Sequence, residues 1–175
     1  RFVILVVDGD PAGDIARDTA GPDLVTPADI GVDDTEFARL ATAFSARQVA
    51  AVLRPRLLAA LLADSGRVLY LDPWVMVLES VAEIVSAALD RAAVALVPRV
   101  LRALPDDGLR PTPRELRAAG VYEPGFLAVT DGALPFLREW AEHARRDLDS
   151  ADGFLDGVPA LVDHQVIRDE GIGLS

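Results

Sequence analysis

The chain contains no cysteine, no lysine and no asparagine, and only two histidines among its 175 residues. Without cysteine there is no disulfide, no thiolate zinc site and no cysteine nucleophile. Without lysine a Gly-Lys-Ser/Thr phosphate loop cannot be built, and neither Gly-x-Ser-x-Gly nor Gly-x-Gly-x-x-Gly occurs. Long apolar runs are missing too: Arg54 and Arg56 interrupt the stretch from Ala50 to Leu62, so no segment is expected to span a bilayer. Nor is there a basic run. Seventeen arginines stand against 28 acids, a net charge of −11 at pH 7 that is repelled by phosphate backbones and anionic lipid surfaces. Nucleic acid and membrane surfaces are thereby set aside as main partners. The expected ligands are small and neutral, or anions accompanied by a metal ion.

What the chain does have is apolar material, 51% of its residues, enough to bury the core of one compact domain over residues 1–175. Phe2 to Val7 is an apolar run stopped by Asp8-Gly9-Asp10 and is expected to be a buried strand, whereas Pro11 to Asp34 is rich in turn formers and reads as a long loop. Thr35 to Val52 carries apolar residues at three- and four-residue spacing, a helix ended by Pro55 and followed by a second helical piece, Arg56 to Ala63. Val68 to Leu71, Ala93 to Val97 and Phe126 to Val129 are expected to join the first strand in one sheet, with Val166-Ile167 as a short last strand. Helices are expected over Ser80 to Arg91, from Pro113 to a stop at Gly120, and from Leu134 to Leu148. Thr112-Pro113-Arg114-Glu115 has the capping threonine, the proline at the first helical position and the glutamate three residues on that open a helix. Strands alternating with helices predict an α/β fold with a mostly parallel, Rossmann-like sheet flanked by helices.

In such a sheet ligands gather beyond the carboxyl ends of the strands, so acids directly after apolar strands are the first candidates. Asp8 and Asp72 both qualify. Asp72, in Tyr70-Leu71-Asp72-Pro73-Trp74, can bind a hard cation that neutralises a diphosphate, or can cap the turn before Pro73; the segment alone leaves both open. Arg54-Pro55, Tyr70 to Pro73, the run Gly120-Val121-Tyr122-Glu123-Pro124-Gly125-Phe126-Leu127-Ala128-Val129 and Phe136 to Trp140 together resemble, in order and spacing, bacterial glycosyltransferases of the GT-A fold, family-8-like. The resemblance covers the chain from Arg1 to about Gly171. It implies a nucleoside-diphosphate sugar as donor, an acceptor of unknown kind, and Mn²⁺ or Mg²⁺ held by an Asp-x-Asp motif of which Asp72 is the first acid. It further implies that Arg54 lies near the donor phosphates, that Asp8, Tyr122, Glu123 and Gly125 line the substrate site, that Asp156 is the catalytic acid near the acceptor, and that His164 is a late metal ligand. A cytoplasmic enzyme is expected. Because these enzymes have another strand before the first one here and continue past the last residues, the chain is expected to be a piece of a longer protein.

Trp74 stands where the resemblance places the second acid, and Glu123 where it places an asparagine. An indole cannot ligate a metal; flanked by Val75, Met76 and Val77, it is expected to pack rather than to stack on a ligand. A second class of function follows: a reduced glycosyltransferase-like domain that binds a sugar nucleotide or a protein partner without transferring anything. A third reading starts from Asp8-Gly9-Asp10, an Asp-x-Asp after the first strand as in haloacid-dehalogenase-like phosphatases, and fails because Ala12 replaces their threonine and no lysine exists. Arg54 could equally be a surface arginine at a helix break, and His164 a structural histidine in a polar turn. His143 is expected in solvent, and Trp140 with Phe136 in the core.

Overall fold

In the computed structural model, which describes residues 1–9, 21–105, 107–146 and 153–172, the chain is an α/β protein with two small sheets. Asp10, the second acid of the phosphatase-like motif, and Leu148, the expected end of a helix, lie outside the described residues. The larger sheet has four strands: β3 (Arg67–Leu71), β4 (Val94–Pro98), β5 (Tyr122–Thr130) and β6 (His164–Val166), in the order β3-β5-β4-β6. β5 runs antiparallel to both β3 and β4, while β4 and β6 are parallel. The sheet is therefore mixed rather than mostly parallel, because the one reversed strand sits between two others.

Every residue of β4 is buried, which an interior strand covered on both faces requires. Its side chains alternate. Val94 and Leu96 join Leu127, Val129 and Trp140 in the core on one face, whereas Ala95 and Val97 join Phe126, Ala128 and Ile167 on the other. The first face is covered by α2 (Ala46–Ser65) and α5 (Leu134–Arg146), the second by α3 (Ala82–Leu89). As expected, Trp140 and Phe136 are core residues. The short helix α4 (Pro113–Ala119) begins with the anticipated capping box of Thr112 and Glu115.

Three expectations need correction. β1 (Val3–Leu5) does not join the larger sheet among the described residues; it pairs in parallel with β2 (Asp23–Val25), a strand inside the stretch expected to be loop. The helix expected from Thr35 to Val52 is two helices, α1 (Asp34–Ala43) and α2, divided at Phe44-Ser45. There Ser45 caps α2 reciprocally with Gln48, and capping satisfies the end groups that a continuous helix would have kept internal. Pro55 does not end α2 but lies buried inside it, so the single hydrogen bond it cannot donate is outweighed by an apolar face running from Val49 to Leu62. α2 then stops at Gly66, whose φ of 64° is a left-handed cap conformation that glycine adopts without steric cost. Glu36 of α1 takes both guanidinium ends of Arg56, each at 2.9 Å, and lies 3.7 Å from Arg145, so one carboxylate ties α1, α2 and α5 together.

The packing has a direct test. Leu127, fully buried at the centre of the sheet, should cost about 2–5 kcal/mol when truncated to alanine. Leu161→Ala, at a half-exposed position, should change stability by less than about 0.5 kcal/mol. Urea denaturation of the two variants measures both.

Candidate functional site

The apolar strand β3 delivers Asp72 to its carboxyl end. The Asp72 backbone N–H donates to the Gly125 carbonyl at 2.9 Å, extending the β3–β5 pairing by one residue, and its carbonyl accepts from Val75 N–H at 2.9 Å to close a turn over Pro73 and Trp74. The backbone makes that turn, so the carboxylate is left to face inward, where Arg54 Nη2 stands 3.9 Å from Oδ2. Arg54 is 4% exposed, and its guanidinium carbon lies 4.8 Å from the centre of the Tyr70 ring. It is not a surface arginine. Midway along an uninterrupted α2, it is a buried cation shared between a ring face and a carboxylate.

Opposite Asp72, β5 makes a pronounced bulge. Leu96 of β4 pairs with Leu127 but Pro98 pairs with Tyr122, so two steps on β4 correspond to five on β5. The surplus turns Glu123 and Gly125 toward the end of the sheet. A Cβ built on Gly125 would stand 3.0 Å from Asp72 Cβ and 3.2 Å from Glu123 Oε1, so the two acids flank a position where any side chain would crowd them. Glu123 Oε1 accepts from the Gly125 N–H at 3.1 Å, and Oε2 accepts from Arg99 Nη1 at 2.7 Å. Both carboxylate oxygens are thus engaged. Arg99 follows β4 directly and was not singled out from the sequence, although the rule that led to Asp8 and Asp72, a polar residue just after an apolar strand, applies equally to Pro98-Arg99. Its Nε is buried and has no hydrogen-bond partner among the described residues, a deficit worth about 1–3 kcal/mol.

Asp156 reaches the same end of β5 from a 3₁₀ turn over Gly153–Gly157: its Oδ1 accepts from Val121 N–H at 2.9 Å and it lies against Gly120. Tyr122 is half-buried, its ring packed on the α2 side of the core. Arg54, Asp72, Glu123, Gly125 and Asp156 therefore gather along one sheet end, with Arg99 added. His164 does not join them. Asp8 is exposed just after β1, whose Leu5 packs against the same core as Tyr70. His164 is level with Val94, Val129 and Val68. That places it four residues short of Asp72 and three strands across, roughly 20 Å away at ~3.3 Å per residue and ~4.8 Å per strand. His143 is not in open solvent, since its ring packs 5.0 Å from that of Phe154. Trp74 does not pack under its neighbours; it is 76% exposed, with Met76 and Leu78 also projecting outward.

The described residues at this end do not by themselves form a complete ligand set for Mn²⁺ or Mg²⁺. Among the described residues no three His, Asp or Glu side chains gather as cation ligands, Asp72 faces Arg54, and the neighbouring position is an exposed indole. A hard cation takes six or more oxygen ligands, and of the carboxylates at this end Asp72 faces Arg54, Glu123 is engaged by Arg99 and the Gly125 N–H, and Asp156 holds the Val121 N–H. Elsewhere, an open depression of about 640 Å³ is lined by one face of α1 alone, including Asp34, Ala38 and Arg39. It brings no second element to a ligand. Comparison of the chain with protein-family profiles, curated proteins and solved structures finds no match.

Two substitutions separate crowding from exposure. Gly125→Ala should lower stability by about 1–3 kcal/mol because its Cβ must displace Asp72 or Glu123. Trp74→Asp, at an exposed position, should leave stability within about 0.5 kcal/mol of the parent. Thermal and urea unfolding of each variant decide the matter.

Proposed function

We propose that the chain is a glycosyltransferase domain of GT-A type that moves a hexose from a nucleoside diphosphate to an acceptor. The observation that carries this reading is the meeting of Asp72, Glu123 and Gly125 at one sheet end, with Asp156 held at the neighbouring Gly120 and Val121, although these residues are up to 84 positions apart in the chain. Strand ends of an α/β sheet are where nucleotide ligands lie, and half-buried carboxylates read sugar hydroxyls by accepting their hydrogen bonds. In the transfer, the bond between the sugar C1 and the diphosphate oxygen breaks with its electron pair going to the diphosphate, and an acceptor oxygen forms the new bond to C1. Asp72, steadied by Arg54, accepts hydrogen bonds from the sugar. Asp156, whose Oδ1 is tied to Val121, keeps Oδ2 for the proton of the acceptor hydroxyl. The reading includes a cytoplasmic place of action and no nucleic-acid partner. No helix among the described residues is long and apolar enough to cross a membrane.

A second reading, a domain that binds a sugar nucleotide or a protein partner without transfer, is supported by two observations. Both oxygens of Glu123 are already used within the chain, and Trp74, Met76 and Leu78 present an apolar strip to solvent next to the site. Calorimetric titration of UDP and of GDP, each with and without Mn²⁺, tests the nucleotide-binding core of both. We expect binding of at least one nucleotide, weakened about tenfold by Asp72→Asn through loss of a charge-assisted contact. Release of free or transferred hexose from the matching sugar nucleotide then favours the enzyme. Neither heat nor a thermal shift with either nucleotide leaves the partner-binding reading in its place.

A further inference from the structure

The segment that leaves the turn at Pro73 and Trp74 has the alternation of a strand whose apolar face is turned to solvent. Trp74, Met76 and Leu78 are 76%, 80% and 83% exposed, while Val75, between the first two, is half-buried beside Gly125. A run that is apolar on both faces is the pattern of a strand covered on both sides. The backbone is open as well, since Met76, Val77 and Leu78 hydrogen-bond to no other backbone among the described residues. Together these side chains reach the few hundred Å² at which an exposed apolar patch marks a contact surface, and fall short of the roughly 800 Å² per side of a standard stable interface. A short, reversible contact suits that size. Charge says what makes it. From Val68 to Asp90 the chain has four acids and no basic residue. Asp72 faces Arg54 and Asp90 holds Arg67 at 2.7 Å, which leaves Glu79 and Glu83, both exposed and in no ion pair among the described residues, beside the strip. A second copy brings the same acids, and an anionic lipid surface is repelled by them; a segment bearing lysine or arginine is attracted.

We propose that Trp74 to Leu78 is a docking edge for an extended segment of another protein, apolar on one face and carrying lysine or arginine. Its backbone pairs with Met76 to Leu78, its apolar side chains cover Trp74, Met76 and Leu78, and its cations meet Glu79 and Glu83. The inference rests on the partner-binding reading above and adds to it the surface and the chemistry of the partner. It gives the indole at position 74 a task that no metal ligand could perform, that of an aromatic anchor at the start of the strip. The docked segment also lies next to Asp72, whose carbonyl already accepts from the Val75 N–H at 2.9 Å.

The test is titration of the whole chain followed by tryptophan fluorescence, because of its two tryptophans Trp140 is fully buried and only Trp74 reports on the strip. The probes are three synthetic peptides of about ten residues, the length of a long strand: alternating valine and lysine, alternating valine and glutamate, and alternating serine and lysine. The valine–lysine peptide is expected to shift the emission to the blue and to bind about tenfold or more tighter than the other two, an advantage that shrinks in added salt. Met76→Ser with Leu78→Ser should weaken it about tenfold, Glu79→Gln with Glu83→Gln about threefold, and Leu161→Ser, at an exposed position elsewhere, not at all. Methylating alternate backbone nitrogens of the peptide, which spares its side chains, should also cost about tenfold. Thermal melts establish that each variant is folded, and the comparison among peptides on the parent chain stands whether or not they are. No binding of any peptide, equal binding of the glutamate or serine peptides, or indifference to the strip variants or to methylation overturns the inference and leaves the partner reading to another surface. A parent chain that sediments as a dimer at neutral pH, and as a monomer after Met76→Ser with Leu78→Ser, overturns it in favour of a second copy. Hexose transfer in the nucleotide assay removes the reading of a domain without transfer, and does so independently of the peptide result.

Discussion

Everything at the candidate site depends on one strand being held in reverse between two others. β5 pairs with β3 through Leu71↔Phe126 and with β4 through Leu96↔Leu127, so its apolar run, Phe126 to Val129, is fixed on both edges and covered on both faces. Such a strand has no freedom to slip, because a shift of one residue would turn its α2-facing side chains toward α3. The surplus residues at its start must then leave the ladder, and the bulge that results carries Glu123 and Gly125 to the ends of β3 and β4. A site built in this way inherits the rigidity of the core beneath it.

The charges of the site follow from the same constraint. Asp72 and Glu123 are brought so close to Gly125 that two bare carboxylates would repel each other in a half-buried setting; each instead faces its own guanidinium. Pairing of this kind contributes little net stability, since desolvation offsets most of the attraction, but losing one partner leaves the other charge stranded. The arginines therefore hold acids in place at a point where the backbone alone would leave them in conflict. Arg54 has the larger desolvation to overcome, and the Tyr70 ring face supplies part of what water would have given.

Local signals in the chain identified most elements. The Thr112 and Glu115 capping box, the four apolar runs and the core aromatics of α5 were all legible, because each depends on a few neighbouring residues. Strand direction was not, since alternating apolar residues read the same in either sense; β5 is reversed without any mark in its composition. Nor was continuity through Pro55, where burial of a long apolar face prevailed over the local penalty. Of the site, Asp72, Glu123, Gly125 and Asp156 were picked out in advance and meet at one sheet end, while Arg99 was missed because its importance lies in a pairing across 24 residues. His164 was misplaced relative to Asp72 for a related reason: the parallel register of β6 with β4, invisible locally, puts it at the other end of the sheet.

The strip that begins at Trp74 also bears on how the molecule behaves in concentrated solution. Met76, Val77 and Leu78 expose both their side chains and, among the described residues, backbone groups that hydrogen-bond to no other backbone. That combination is a template for pairing with another extended segment, including the same one on a second copy. Against such pairing stands the surplus of acids, a colloidal repulsion at neutral pH that no contact within the fold reveals. That repulsion weakens as the pH falls toward the isoelectric point of about 4.5 that the sequence implies, so self-association through the strip is favoured by acid independently of how well the core is packed.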